Sequence, residues 1–84
     1  MKRIINLINN KLSWKYEIIE IDKNYIIIRN FHTIPEYFKI SKCKILKRWY
    51  QIEKGFDTDT MEFEQNFEGY GEGYKELKEY LTYI

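Results

Sequence analysis

Apolar positions recur along this chain with two different periods. Ile4, Ile5, Leu7, Ile8 and Leu12 return at three- and four-residue steps, with Lys2, Asn6, Asn9 and Asn10 between them. That is the spacing of one buried helix face. It predicts a helix over residues 2–12, closing near Asn9 and Asn10, whose side chains compete for backbone hydrogen bonds and favour helix ends. The character then changes. Trp14-Lys-Tyr-Glu-Ile-Ile-Glu-Ile21 and Tyr25-Ile-Ile-Ile-Arg-Asn-Phe31 are dense in β-branched and aromatic residues, which fit a pleated, half-buried surface. Asp22-Lys23-Asn24 between them is turn chemistry, so the two runs predict a hairpin. In the first run Trp14, Tyr16 and Ile18 share one face, and Ile19 and Ile21 the other. The strand is therefore covered on both sides or broken by a bulge. In the second, Ile26 and Ile28 oppose Tyr25, Ile27 and Phe31. Pro35 makes His32–Glu36 a loop. Phe38 and Ile40 then alternate with Lys39 and Ser41, predicting a third strand over residues 37–41.

The second half reads as helical. Ile45, Leu46, Trp49, Tyr50 and Ile52 form a stripe at helical spacing, with Lys44, Lys47 and Arg48 mostly off it and Gly55 fitting the residue just past a helix end. The competing reading continues the third strand through Ile45, which leaves residues 42–48 open between helix and strand. Asp59 followed three residues later by Glu62 resembles a helix start. Phe56, Thr60, Phe63, Phe67, Tyr70, Tyr74, Leu77, Leu81 and Ile84 repeat at alternating four- and three-residue steps. Gly69, Gly71 and Gly73 interrupt that stripe, each costing a helix about 1 kcal/mol relative to Ala. Two helices are expected, over residues 59–68 and 73–83. The expected fold is α+β, in a single domain of residues 1–84: an N-terminal helix, a three-stranded antiparallel sheet, then two to three helices packed on the sheet. Trp14, Ile26, Ile28, Phe38 and Ile40 are its expected core.

Composition narrows the function. Eighty-four residues bury a limited core, which the fifteen aromatics reinforce. One cysteine, Cys43, rules out an internal disulfide and fits a reducing compartment. No run approaches a membrane span, and the N-terminal residues lack the long apolar core of a signal peptide. A cytoplasmic protein of the host cell, without membrane association, is expected. Residues 1–56 hold twelve Lys and Arg against five Asp and Glu, a balance of +7, while residues 57–84 hold two against eight, a balance of −6. Such polarity governs the choice of partner, although the two halves could equally neutralise each other within the fold.

Residues suited to catalysis are sparse. His32 is the only histidine and has no second ligand at metal spacing. Lys42 and Lys44 flank Cys43 and could lower its pKa, but no base accompanies it, and a small buried residue is the plainer reading. Gly69-Tyr-Gly-Glu-Gly73 has the wrong spacing for a phosphate loop and no following Lys-Ser/Thr. No enzyme, metal, cofactor or small-molecule substrate is expected. Two surfaces remain. The acidic one comprises Asp57, Asp59, Glu62, Glu64, Glu68, Glu72 and Glu76, its last four glutamates spaced by four, so that neighbours on a helix repel by about 0.2–0.5 kcal/mol per pair. Stacking like charges suggests a basic partner as readily as it suggests solubility. The other surface, basic and aromatic, comprises Lys39, Lys42, Lys44, Lys47 and Arg48 among Tyr37, Trp49 and Tyr50. It suits nucleic acid, through phosphate neutralisation and base stacking, unless the rings are core and the lysines a solvated face.

The order of these segments resembles the small type II anti-CRISPR proteins encoded by prophages, which inhibit the RNA-guided Cas nuclease. The likeness rests on Ile4-Ile-Asn-Leu-Ile-Asn-Asn10 as a short helix, a strand, Ile26-Ile-Ile-Arg-Asn30, Glu36-Tyr-Phe-Lys-Ile-Ser41, a helix, and an acidic-aromatic connection into a last helix. The resemblance implies an inhibitor whose acidic surface imitates DNA and occupies the site that reads the protospacer-adjacent motif. Asp57, Asp59, Glu62, Glu64 and Glu68 would then be the mimic. The implied partner is a Cas effector nuclease, or another basic nucleic-acid-binding host protein. The chain departs from the family in its basic middle and its fewer connecting acids. The alternative is a small nucleic-acid-binding accessory protein using Lys39–Arg48. A tyrosine-rich self-assembly protein is a third reading.

Overall fold

The computed structural model describes residues 1–42, 49–67 and 72–84. In chain order these form α1 (Lys2–Lys11), β1 (Tyr16–Ile21), β2 (Tyr25–Asn30), β3 (Tyr37–Lys42), β4 (Tyr50–Gly55), β5 (Glu62–Phe67) and α2 (Glu72–Tyr83). The strands make one antiparallel sheet in the order β1-β2-β3-β4-β5. The expected three-stranded sheet with two to three later helices is thereby corrected: among the described residues, five strands carry two helices.

The first half follows its residue pattern. α1 buries Ile4, Leu7 and Ile8. At the β1–β2 turn the Asn24 amide donates to Asp22 Oδ2 at 3.1 Å and the Asp22 amide to the Tyr25 carbonyl at 2.9 Å. The two-sided apolar pattern of β1 is resolved by a bulge: register slips between Ile18 and Glu20, leaving Ile19 unpaired and 42 % exposed. Trp14 departs from expectation. It lies outside β1, 69 % exposed, with Nε1 donating to the Lys11 carbonyl at 3.1 Å. It closes the end of α1 rather than filling the core.

The second half holds the larger correction. Residues 50–54 were expected in a helix with Gly55 just past its end, yet Tyr50 and Ile52, buried, alternate with Gln51 and Glu53, half-exposed. Period two wins because each inward side chain meets an apolar partner, Ile52 lying opposite Ile40. The expected helix over residues 59–68 is instead a turn followed by β5. Asp57 Oδ1 accepts from the amides of Asp59 and Thr60, both at 2.8 Å. Such Asx bonding folds a turn as effectively as it caps a helix. The turn closes against Gly55, where an added Cβ would stand 2.9 Å from the Thr60 carbonyl carbon and oxygen. β5 buries only Phe67, so backbone pairing with β4, not an apolar face, makes it a strand. Residues 43–48, where helix and strand competed, and Glu68–Gly71 lie outside the described residues.

Both helices cover the same sheet face. Ile26, Ile28, Phe38, Ile40 and Ile52, all at most 1 % exposed, meet Ile4, Leu7 and Ile8 of α1 and Leu77 and Leu81 of α2 in one cluster. Arg3 stacks 3.6 Å above the Tyr74 ring near the helix starts. At the helix ends the Tyr16 hydroxyl donates to the Leu81 carbonyl at 2.6 Å. The helices therefore run side by side in the same direction. Lys15 Nζ, donating to the carbonyls of Thr82 at 2.9 Å and Ile84 at 2.5 Å, supplies the cation that a helix C-terminus favours. No described helix is long and apolar enough to cross a membrane.

Candidate functional site

The acidic residues gather at one margin of the sheet, on a scaffold different from the expected one. Asp57 and Asp59 sit in the exposed β4–β5 turn, and Glu62 and Glu64 are exposed on β5. Glu68 lies outside the described residues, and Glu72 is the first residue of α2. The four-residue glutamate spacing is thus not a single helical stripe, because Glu64 belongs to a strand. A second register slip, between Ile52 and Glu53, leaves Glu64 as the extra residue of a bulge. Bulges re-aim a side chain at a sheet edge.

β5 is an edge strand, paired only with β4 among the described residues. Across the helix side of this edge, the Tyr80 ring packs on Phe67 with centroids 5.1 Å apart. Glu76, one turn earlier on α2 and exposed, shares that flank. Burial, and then the nearby charge of Glu64, push the Tyr80 phenol up.

Two of the nearby groups are already engaged. The Asp57 carboxylate holds the turn, and the amides of Asp59 and Thr60 keep its pKa below the usual range. Lys54, opposite Glu62 in register, bonds Glu36 Oε2 at 2.9 Å. That bond lowers the Glu36 carboxyl and raises the Lys54 amine. Glu36 also bonds Asn30, whose buried amide oxygen accepts from the Glu36 amide at 2.9 Å. Lys54 is thus drawn toward Glu36, and Asp59, Glu62 and Glu76 remain exposed around Glu64, which is exposed too and sits beside the Tyr80 phenol.

The basic-aromatic surface does not assemble as expected. Lys39 lies on the uncovered sheet face, Lys42 is exposed at the end of β3, and Tyr50 is buried on the opposite face. Lys44, Lys47 and Arg48 lie outside the described residues. On the uncovered face the cations have partners. Lys39 Nζ stands 4.6 Å from the Tyr25 ring centroid, Arg29 pairs with Glu17, and the Tyr25 hydroxyl donates to Glu20 at 3.0 Å. Glu53, opposite Lys39 in register, adds a third carboxylate. This face is mixed in sign, unlike a groove for phosphates.

Among the described residues no group of three or more His, Cys, Asp and Glu is placed to hold a metal ion. His32, exposed in the β2–β3 loop, has Nδ1 3.9 Å from Glu36 Oε1. No protein-family model matches the chain, and no curated protein or solved structure matches it significantly.

Proposed function

We propose that this chain is a binding protein rather than an enzyme: an anti-CRISPR-type inhibitor of a nucleic-acid-binding bacterial defence nuclease. Its working surface is the acidic edge formed by Asp59, Glu62 and Glu64 with Glu76 beside them. The observation that carries the reading is the exposure of Glu62 and Glu64 on an edge strand whose backbone is fixed by β4. A nuclease reads its short DNA motif with arginines in a positively charged channel. Carboxylates on a fixed strand offer those arginines bidentate partners, as phosphates and base edges do. The approach of such a protein is fast and weakened by salt. The segment order through β3 and the last helix supports a Cas nuclease as the partner class. The connection expected to be helical is a strand, so the mimicry proposed is of carboxylates along an extended edge.

Order of addition on a purified, guide-loaded type II Cas nuclease tests the reading. The chain added before target DNA should block cleavage, and the same amount added after DNA has bound should not. Equal potency in either order, or no inhibition in both, would overturn the proposal.

A further inference from the structure

The two parallel helices leave a furrow on the outer side of the molecule, away from the sheet. Spacing along α1 sorts its side chains. Ile4, Leu7 and Ile8 face the sheet, Lys2, Asn6 and Asn9 lie opposite them, and Arg3 and Asn10 share a flank. That flank faces α2, because the Arg3 guanidinium stands 3.6 Å above the Tyr74 ring. On α2, Leu77 and Leu81 face the sheet, and Tyr80 is turned to β5 by its contact with Phe67. Helical spacing therefore puts Lys75 and Lys78 on the other flank with Tyr74, toward α1. Lys2, Arg3 and Lys75 are exposed and Lys78 is half-exposed. None of the four has a carboxylate within 4.0 Å among the described residues. The ten residues of α1 include no acid. Glu79 is exposed on the outer side of α2, while Glu76 lies on the Tyr80 flank.

Elsewhere the cations are engaged: Arg29 with Glu17, Lys54 with Glu36, and Lys39 over Tyr25. In the furrow the Tyr74 ring restrains the Arg3 guanidinium and leaves its N–H fork for an outside acceptor. We propose that the α1–α2 furrow binds the phosphodiester backbone of a single-stranded nucleic acid. Lys2, Arg3, Lys75 and Lys78 neutralise phosphates, and the Asn6 and Asn10 amides donate to their oxygens. Packed helices stand about 8–10 Å apart, axis to axis, so one strand lies between the walls with cations on both sides. A protein partner fits less well. Protein interfaces have an apolar core, whereas nucleic-acid interfaces are polar and positive. α1 exposes no large apolar side chain, and α2 exposes only Tyr83, in its last turn. Arg3 already covers Tyr74, so the furrow has no free ring on which a base could stack. Binding then rests on phosphates and tolerates any sequence. The acidic edge lies beyond Tyr80, on the far flank of α2, and the inference stands independently of it.

Fluorescence anisotropy of labelled oligothymidylate and oligouridylate tests it, with the full chain titrated to about 300 μM, above the non-specific range of about 10⁻⁴–10⁻⁶ M. Binding should be seen at low salt, and the tighter of the two arms names the source, DNA or RNA. Four neutralised phosphates on a single strand give a slope of log K against log salt near about −2.8, or about a fiftyfold loss between about 50 and about 200 mM. Lys75→Gln/Lys78→Gln should halve that slope, and Lys2→Gln should reduce it by about 0.7. Both variants should melt like the parent, since these amines reach solvent. Lys39→Gln, on the uncovered sheet face, should leave the slope unchanged. No binding at about 50 mM salt, or a slope that the furrow variants leave unchanged, overturns the proposal. So does polyglutamate bound as tightly as the oligonucleotides, which would assign the furrow to an acidic protein.

Discussion

Replacing Ile52 with Ala tests the corrected half of the fold. Ile52 is 0 % exposed at the centre of β4, opposite Ile40 of β3 and Gln65 of β5. The change deletes three carbons, at about 0.8 kcal/mol each in transfer. A cavity under two helices adds to this, for a total of about 2–5 kcal/mol. At about 0.05–0.15 kcal/mol per residue, a chain of this length has about 4–13 kcal/mol to lose. With a urea slope near 1 kcal/mol per molar, the unfolding midpoint should drop by about 3 M. Neighbouring Gln51 and Glu53 point to the uncovered face and are half-exposed, so their Ala variants should stay within about 0.5 kcal/mol of the parent. Urea titrations of the three variants, followed by far-UV circular dichroism, read the alternation directly. Equal losses at positions 51 and 52, or an Ile52→Ala curve that overlays the parent, would refute the placement of β4.

Three further outcomes follow from the packing and the ion pairs. Leu81→Ala should cost about 2–5 kcal/mol, because Leu81 is 0 % exposed; unchanged cooperative melting would make α2 an independent appendage. Trp14→Ala should cost no more than about 1.5 kcal/mol, the worth of its one hydrogen bond, whereas a loss near the 3–5 kcal/mol of a buried Trp would restore it to the core. The carboxyls of Glu36 and Asp57 are lowered in the fold, so they bind fewer protons there than in the unfolded chain. Their contribution is present above the ordinary carboxylate pKa and lost as pH falls below it. Melting temperature should therefore fall with acidification through that range, less so in the Asp57→Asn/Glu36→Gln variant; parallel profiles would contradict this.

How much of the structure was legible depended on which residues faced an apolar partner. α1, the hairpin, β3 and α2 carry full apolar faces, and there periodicity alone placed the elements to within about two residues. The two-sided run Ile18–Ile21 even signalled its bulge. β4 was misread because Tyr50 and Ile52, adjacent inward positions of a strand, also fit the helical stripe begun at Ile45 and Leu46. The alternation of Gln51 and Glu53 was the overlooked signal. β5 had almost no signal: Phe63 and Phe67 are four apart, and only Phe67 is buried. Tertiary pairing with β4 overrides that spacing, as it overrides helix propensity generally. At the acidic site, sequence identified the exposed carboxylates Asp59, Glu62 and Glu64 but not the turn and strand that carry them. Asp57, also named, proved to be a turn-former.

The acidic edge is tested most directly by its affinity for a guide-loaded type II Cas nuclease, measured by biolayer interferometry across a salt series. The parent is compared with an Asp59→Lys/Glu62→Lys/Glu64→Lys variant whose circular dichroism and melting match it. Parent binding should weaken steeply as salt rises, motif-bearing duplex DNA should compete with it, and the triple reversal should lose at least about a hundredfold, because like charges would then face the arginines. Parent affinity that ignores salt, or a triple reversal that binds as tightly as the parent, would contradict the account.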